Sequence, residues 1–141
     1  MKYLYLTTIL LFSLTIQAQE EIHFLWNKDT ITDCSFIKSG KFVNEETYSK
    51  ITEGYSIEFR NGFAVEKIED GKYFVKSKIT YTSECSYEIK VLETNIPDYE
   101  QVVGKTFYTE ILETAKADKL TMIRSREDQY WKTFVLRKIE D

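Results

Sequence analysis

The chain has 141 residues, 43% of them apolar and 15% aromatic, with 19 Lys and Arg against 23 Asp and Glu and a single histidine. A net charge of −4 without a concentrated basic run offers no electrostatic footprint for a phosphate backbone, so no nucleic-acid partner is expected. One histidine also leaves any His-based metal site or nucleophile–His–acid triad dependent on His23 alone.

Residues 1–18, MKYLYLTTILLFSLTIQA, carry one positive charge at Lys2, an apolar run from Leu4 to Ile16, and a small residue, Ala18, where a signal peptidase can cut. A membrane-spanning helix needs about 20 apolar residues, whereas this run is shorter and ends in Gln17, Gln19, Glu20 and Glu21. It is expected to be a removed secretory signal; an uncleaved anchor is the alternative. No cysteine stands at the cleavage point, so no lipid anchor is expected either. The mature chain, residues 19–141, is long enough for one domain with its own core and is expected in the periplasm or outside the cell.

"EIHFLWNKDTIT" follows, either a preceding hairpin or a leader packed on the domain. Period-2 alternation then dominates, with no surviving helical period, and turn signals divide the chain into eight short segments. They run over 33–43, 54–60, 63–68, 72–81, 85–93, 105–113, 119–125 and 130–138. Pro97, in "TNIPDYEQVVG", marks the one longer connection, with room for a short helical turn. This pattern predicts an all-β, antiparallel meander of about eight strands, closing into a small barrel that leaves no free edge.

The turns also suggest a register. A three-residue loop Arg60-Asn61-Gly62 sets Phe59 opposite Phe63 and Ile57 opposite Val65, whereas a two-residue Asn61-Gly62 loop sets Ile57 opposite Glu66 and mixes the faces. The first choice is preferred. Similar turns at 69–71 and 82–84 place Val65 opposite Val75 and Val75 opposite Val91. Ile57, Val65, Val75 and Ile79 are then core, while Glu58, Lys76 and Lys78 are wet. In the last three segments Phe107 and Ile111 compete with Tyr108 and Leu112 for the inside, and Phe134 and Leu136 with Trp131, Val135 and Ile139.

Cys34 and Cys85 both survive cleavage, and an exported chain meets an oxidising compartment, so one disulfide is expected. Two free thiols are the alternative, because sequence does not supply the Cα separation that bridging requires.

At "CSFIKSGKF" and "KITYTSECSYEI" the chain resembles a family of small exported proteins from Bacteroidota-type bacteria, most without a known activity. The matching residues are Cys34, Phe36, Gly40, Phe42, Tyr81, Cys85 and Tyr87, and the resemblance covers about residues 34–89. Two departures are Ser86, where that family carries an acidic residue, and Tyr81, in place of its usual tryptophan. The resemblance implies a lipocalin-like (calycin-type) barrel over residues 19–141; it implies no activity.

Chemistry is sparse. The pairs Glu45-Glu46, Glu69-Asp70 and Glu127-Asp128 sit in or beside turns, where solvated carboxylates stabilise the turn. No calcium loop, Gly-x-Ser-x-Gly, phosphate-binding glycine loop or CxxC occurs. No enzyme, metal or cofactor is expected. Lys76, Lys78, Arg124 and Arg126 read as surface charge, with an inward arginine holding a ligand carboxylate as the sharper alternative.

An eight-stranded barrel either fills its interior or keeps room for one small ligand. The binding reading places a small apolar or amphipathic molecule against Tyr55, Ile57, Phe59, Val65, Tyr73, Val75, Tyr81 and Tyr87. The rival is a packed core with an envelope protein-interaction surface around Trp26, Tyr130 and Trp131. An internal cavity of several hundred Å³ separates the two.

Overall fold

The computed structural model describes residues 25–46 and 50–141. The expected signal segment and His23 lie outside the described residues.

All the strands pair antiparallel: β1 (Gly40–Glu46), β2 (Lys50–Ile51), β3 (Ser56–Arg60), β4 (Phe63–Ile68), β5 (Tyr73–Tyr81), β6 (Ser86–Thr94), β7 (Thr106–Ala115), β8 (Leu120–Arg126) and β9 (Lys132–Glu140). β2 is a two-residue hairpin partner at the end of β1, and the other eight form a meander that β1 closes against β9. Closure pairs both edges of the sheet, the expected remedy for a small antiparallel protein. Each expected segment corresponds to one strand of this barrel.

The first strand begins later than expected, at Gly40. Upstream, the Asp33 carboxylate accepts from the Ser35 amide (3.1 Å) and hydroxyl (2.6 Å), and the Phe36 and Lys38 amides donate to the carbonyls of Asp33 and Ser35. Backbone groups committed to these turns are not available to a ladder. Gly40 has φ 113°, and a Cβ there would lie 2.6 Å from the Glu140 carbonyl oxygen, so the entry to β1 beside the end of β9 requires glycine.

The leader alternative describes residues 25–32. Leu25 is buried against Ala115 and Met122, its amide donates to Glu113 Oε2 (2.9 Å), and the Asp29 carboxylate accepts from the Thr114 hydroxyl (2.7 Å). This segment covers the outer face of β7–β9, packing with Leu112, Leu120 and Val135, which is why both faces of those strands read as apolar. Phe107, Ile111 and Leu136 take the inside. At Pro97 the long connection contains a single 3-10 turn, Glu100–Val102, which seats Val102 on Val75 and Val91.

The preferred register is overturned at all three turns. Arg60 pairs with Phe63 around a two-residue turn in which Asn61 (φ 52°) and Gly62 (φ 78°) are both left-handed, the geometry that matches strand twist. Phe59 therefore faces Ala64, and Ile57 faces Glu66. At the next turn Glu69, Asp70 and Gly71 are all left-handed, and Val65 lies opposite Lys76 instead of Val75. These two one-residue slips cancel, so β5 keeps its expected face with Val75 and Ile79 buried and Lys76 and Lys78 exposed. Only β4 is inverted: Phe63 and Val65 turn outward, and Ala64 and Glu66 turn inward. At the third turn Tyr81 pairs with Tyr87 instead of Cys85, which leaves Ser77 opposite Val91, and a bulge between Lys76 and Ser77 then sets Val75 opposite Thr94. Glu58, expected wet, is half-buried and paired with Arg60 at 3.1 Å.

One end of the barrel is packed solid. Ile37, Phe42, Phe59, Tyr87 and Ile111 form its core, and rings run edge-to-face from Phe36 to Phe42 (6.1 Å), Phe59 (5.6 Å), Tyr87 (6.5 Å) and Tyr81 (5.8 Å). Cys34 and Cys85 form the expected disulfide, Cα–Cα 5.0 Å, tying the segment before β1 to the β5–β6 turn at this same end.

Candidate functional site

Above that aromatic floor the barrel is hollow. A cavity of about 920 Å³ extends toward the opposite end, where its rim is formed by the β4–β5 turn, the β6–β7 connection and the β8–β9 loop. The strand directions explain the asymmetry: the tight turns at 61–62 and 82–85 and the disulfide-bound segment cluster at the floor, while the longer connections all fall at the mouth.

The wall is mostly apolar. Ile57, Val75, Ile89, Val91, Phe107, Ile123 and Leu136 contribute to it, with Ile68, Ile96, Val102 and Phe134 nearer the mouth. Several inward residues, Tyr55, Glu66, Tyr73, Ile89 and Phe107 among them, keep partial exposure because the cavity reaches solvent. Polar groups within the wall are local, and the charged side chains other than Glu66 gather at the rim. Thr109 and Ser125 pair hydroxyl to hydroxyl at 3.0 Å, Ser77 is buried, and Asn44 donates to Thr52 at 2.8 Å near the rim.

The most informative polar pair is Tyr55 and Glu66. The Tyr55 hydroxyl donates to Glu66 Oε2 at 3.0 Å. Burial raises the Glu66 carboxyl above its ordinary value, and the Tyr55 hydrogen bond only partly opposes this. Burial likewise pushes the Tyr55 phenol up, with the Glu66 charge adding to it. The glutamate is packed into the wall by surrounding atoms yet borders the cavity, which reconciles its enclosed carboxyl with its residual exposure.

Of the residues expected to line a ligand, Tyr55, Ile57, Tyr73 and Val75 line this cavity. Phe59 and Tyr87 are buried in the floor beneath it, too low to line it because Phe42 and Ile111 pack around them. Tyr81 lies at the closed end, 39% exposed, with the Lys38 ammonium over its ring. Val65 is on the outer face because β4 is inverted. Glu66, Ser77, Thr109 and Ser125 were not anticipated. For Glu66 the signal was present, since the two-residue Asn-Gly turn puts it opposite Ile57.

The outer surface carries a second cluster. Trp131 lies under the guanidinium groups of Arg124 (4.2 Å) and Arg126 (4.6 Å), beside Tyr108, and Arg124 is also paired with Glu110 at 2.6 Å. Arg126 thus stacks on outer-face rings at the rim, and Trp131 is shielded. Trp26 and Tyr130 are exposed. Among the described residues no three His, Cys, Asp or Glu side chains converge as a metal-binding group, and no helix is long and apolar enough to cross a membrane.

A closed, eight-stranded antiparallel meander, plugged at one end and open at the other, is a lipocalin-like barrel. Compared with models of known families and with curated proteins, the chain matches none.

Proposed function

We propose that this is an exported lipocalin-like binding protein, a member of the Bacteroidota-type family its cysteine and aromatic spacing resembles, which carries one small amphipathic molecule in its barrel and catalyses no reaction. The observation that carries the reading is the cavity itself: about 920 Å³, mainly apolar, open at one end, within the size range of small-molecule sites. The disulfide fits an oxidising compartment, which supports export. A packed interior, on which the rival interaction-module reading depended, is at odds with the hollow. Its other anchors, exposed Trp26 and Tyr130, remain solvent-facing, but Trp131 is already engaged by arginines.

The test is titration with the neutral apolar fluorophore N-phenyl-1-naphthylamine. One-to-one binding is expected. Ile89→Trp, whose side chain enters the cavity, should abolish it, whereas Val65→Trp on the outer face should leave it intact. Absence of binding by the wild type, or equal binding by both variants, would count against the cavity as the site.

A further inference from the structure

Glu66 has a place in the barrel that neither packing nor surface solvation explains. Its Cα partners across the sheet are Ile57 and Val75, both buried, and its side chain borders the cavity. The other charged residues around the cavity, Glu69, Arg126, Glu127, Asp128 and Lys132, belong to turns or strand ends at the rim. Glu69 is matched there by Lys72 at 2.9 Å and Glu127 by Lys105 at 2.6 Å. Glu66 has no ion-pair partner among the described residues. One of its oxygens accepts from Tyr55; the other has no protein partner among those residues and is open to the cavity.

An anionic head group would bring a like charge to this carboxylate, and a wholly apolar molecule would leave it desolvated without compensation. A cation satisfies the free oxygen and turns the cost of enclosing the charge into an attraction strengthened by the apolar wall. The rings of Tyr55 and Phe107 in the same wall favour a cation over an anion as well. We infer that the molecule held in the barrel carries a protonated amine, which docks on the free carboxylate oxygen of Glu66 while its apolar portion lies against Ile57, Val75 and Ile89. The inference rests on the binding function proposed above and specifies its ligand class.

The experiment is displacement of N-phenyl-1-naphthylamine by three chain-matched competitors, octylamine, 1-octanol and octanoate, at a pH where the amine is protonated and the acid ionised. Octylamine should bind about tenfold or more tightly than 1-octanol, the factor equivalent to one pKa unit of charge pairing, and octanoate most weakly. Glu66→Gln retains an acceptor for Tyr55 but removes the charge; its ratio of octylamine to 1-octanol affinity should fall toward one. Glu66→Asp, which keeps the charge, should retain part of it. Equal affinity for octylamine and 1-octanol in the wild type overturns the inference even if the Gln variant does not fold, as does an amine preference that survives in Glu66→Gln. In those cases fluorophore binding still stands, and with it the cavity reading. Failure of the wild type to bind the fluorophore or any competitor retires both.

Discussion

Tyr87→Phe is a substitution whose sign is set by a single atom. Tyr87 is 1% exposed, its ring packs edge-to-face on Phe59 and Tyr81, and its hydroxyl is buried without a hydrogen-bond partner among the described residues. Burial pushes its phenol up, with the neighbouring Tyr81 and Glu66 adding to the shift, so the group stays neutral and its oxygen is simply desolvated. Leaving such a group unpaired costs about 1–3 kcal/mol, and phenylalanine keeps every ring contact while removing it. A small loss of dispersion where the oxygen stood offsets part of the gain. The expected result is stabilisation by about 0.5–2 kcal/mol, read as a higher urea midpoint at unchanged slope with the disulfide intact. For a domain of this size each kcal/mol corresponds to roughly 3–5 °C in Tm. Destabilisation by more than about 1 kcal/mol would show that the hydroxyl is hydrogen-bonded, through water or otherwise, and would refute the reasoning.

Two further outcomes follow from the same structure. Replacing Cys34 and Cys85 together by serine opens a loop of 51 residues and should lower stability by about 4 kcal/mol in the chain-entropy account, against which equal urea midpoints for variant and oxidised wild type would weigh. Burial raises the Glu66 carboxyl, so the folded state holds its proton to higher pH than the unfolded chain does. Wild-type stability relative to Glu66→Gln should therefore fall as pH rises from the ordinary carboxylate value through the raised one and level off above it. Parallel stability–pH curves for the two proteins would contradict that shift.

Much of the barrel was legible because strand positions depend on local signals. Alternation and turn residues bound each segment within the few residues that carry them, and β4, Phe63–Ile68, has the expected ends. Disulfide chemistry was legible for the same reason: an apolar N-terminal run that reads as a secretory signal and two cysteines stand in the sequence itself. Facing was not. Choosing a three-residue loop over the two-residue Asn61-Gly62 turn is a one-residue difference, yet it decides whether Val65 or Glu66 points inward, and apolar alternation favoured the wrong answer. The twist of the paired strands, which selects two left-handed turn residues, overruled it. The outer faces of β7–β9 could be understood only once Leu25 was seen to cover them. Whether the interior is full or hollow likewise depends on where Phe42, Phe59 and Tyr87 stack along the axis. They gather at the disulfide-bound end, and because side-chain volume is shared among strands distant in sequence, only the closed barrel decides that the other end stays open.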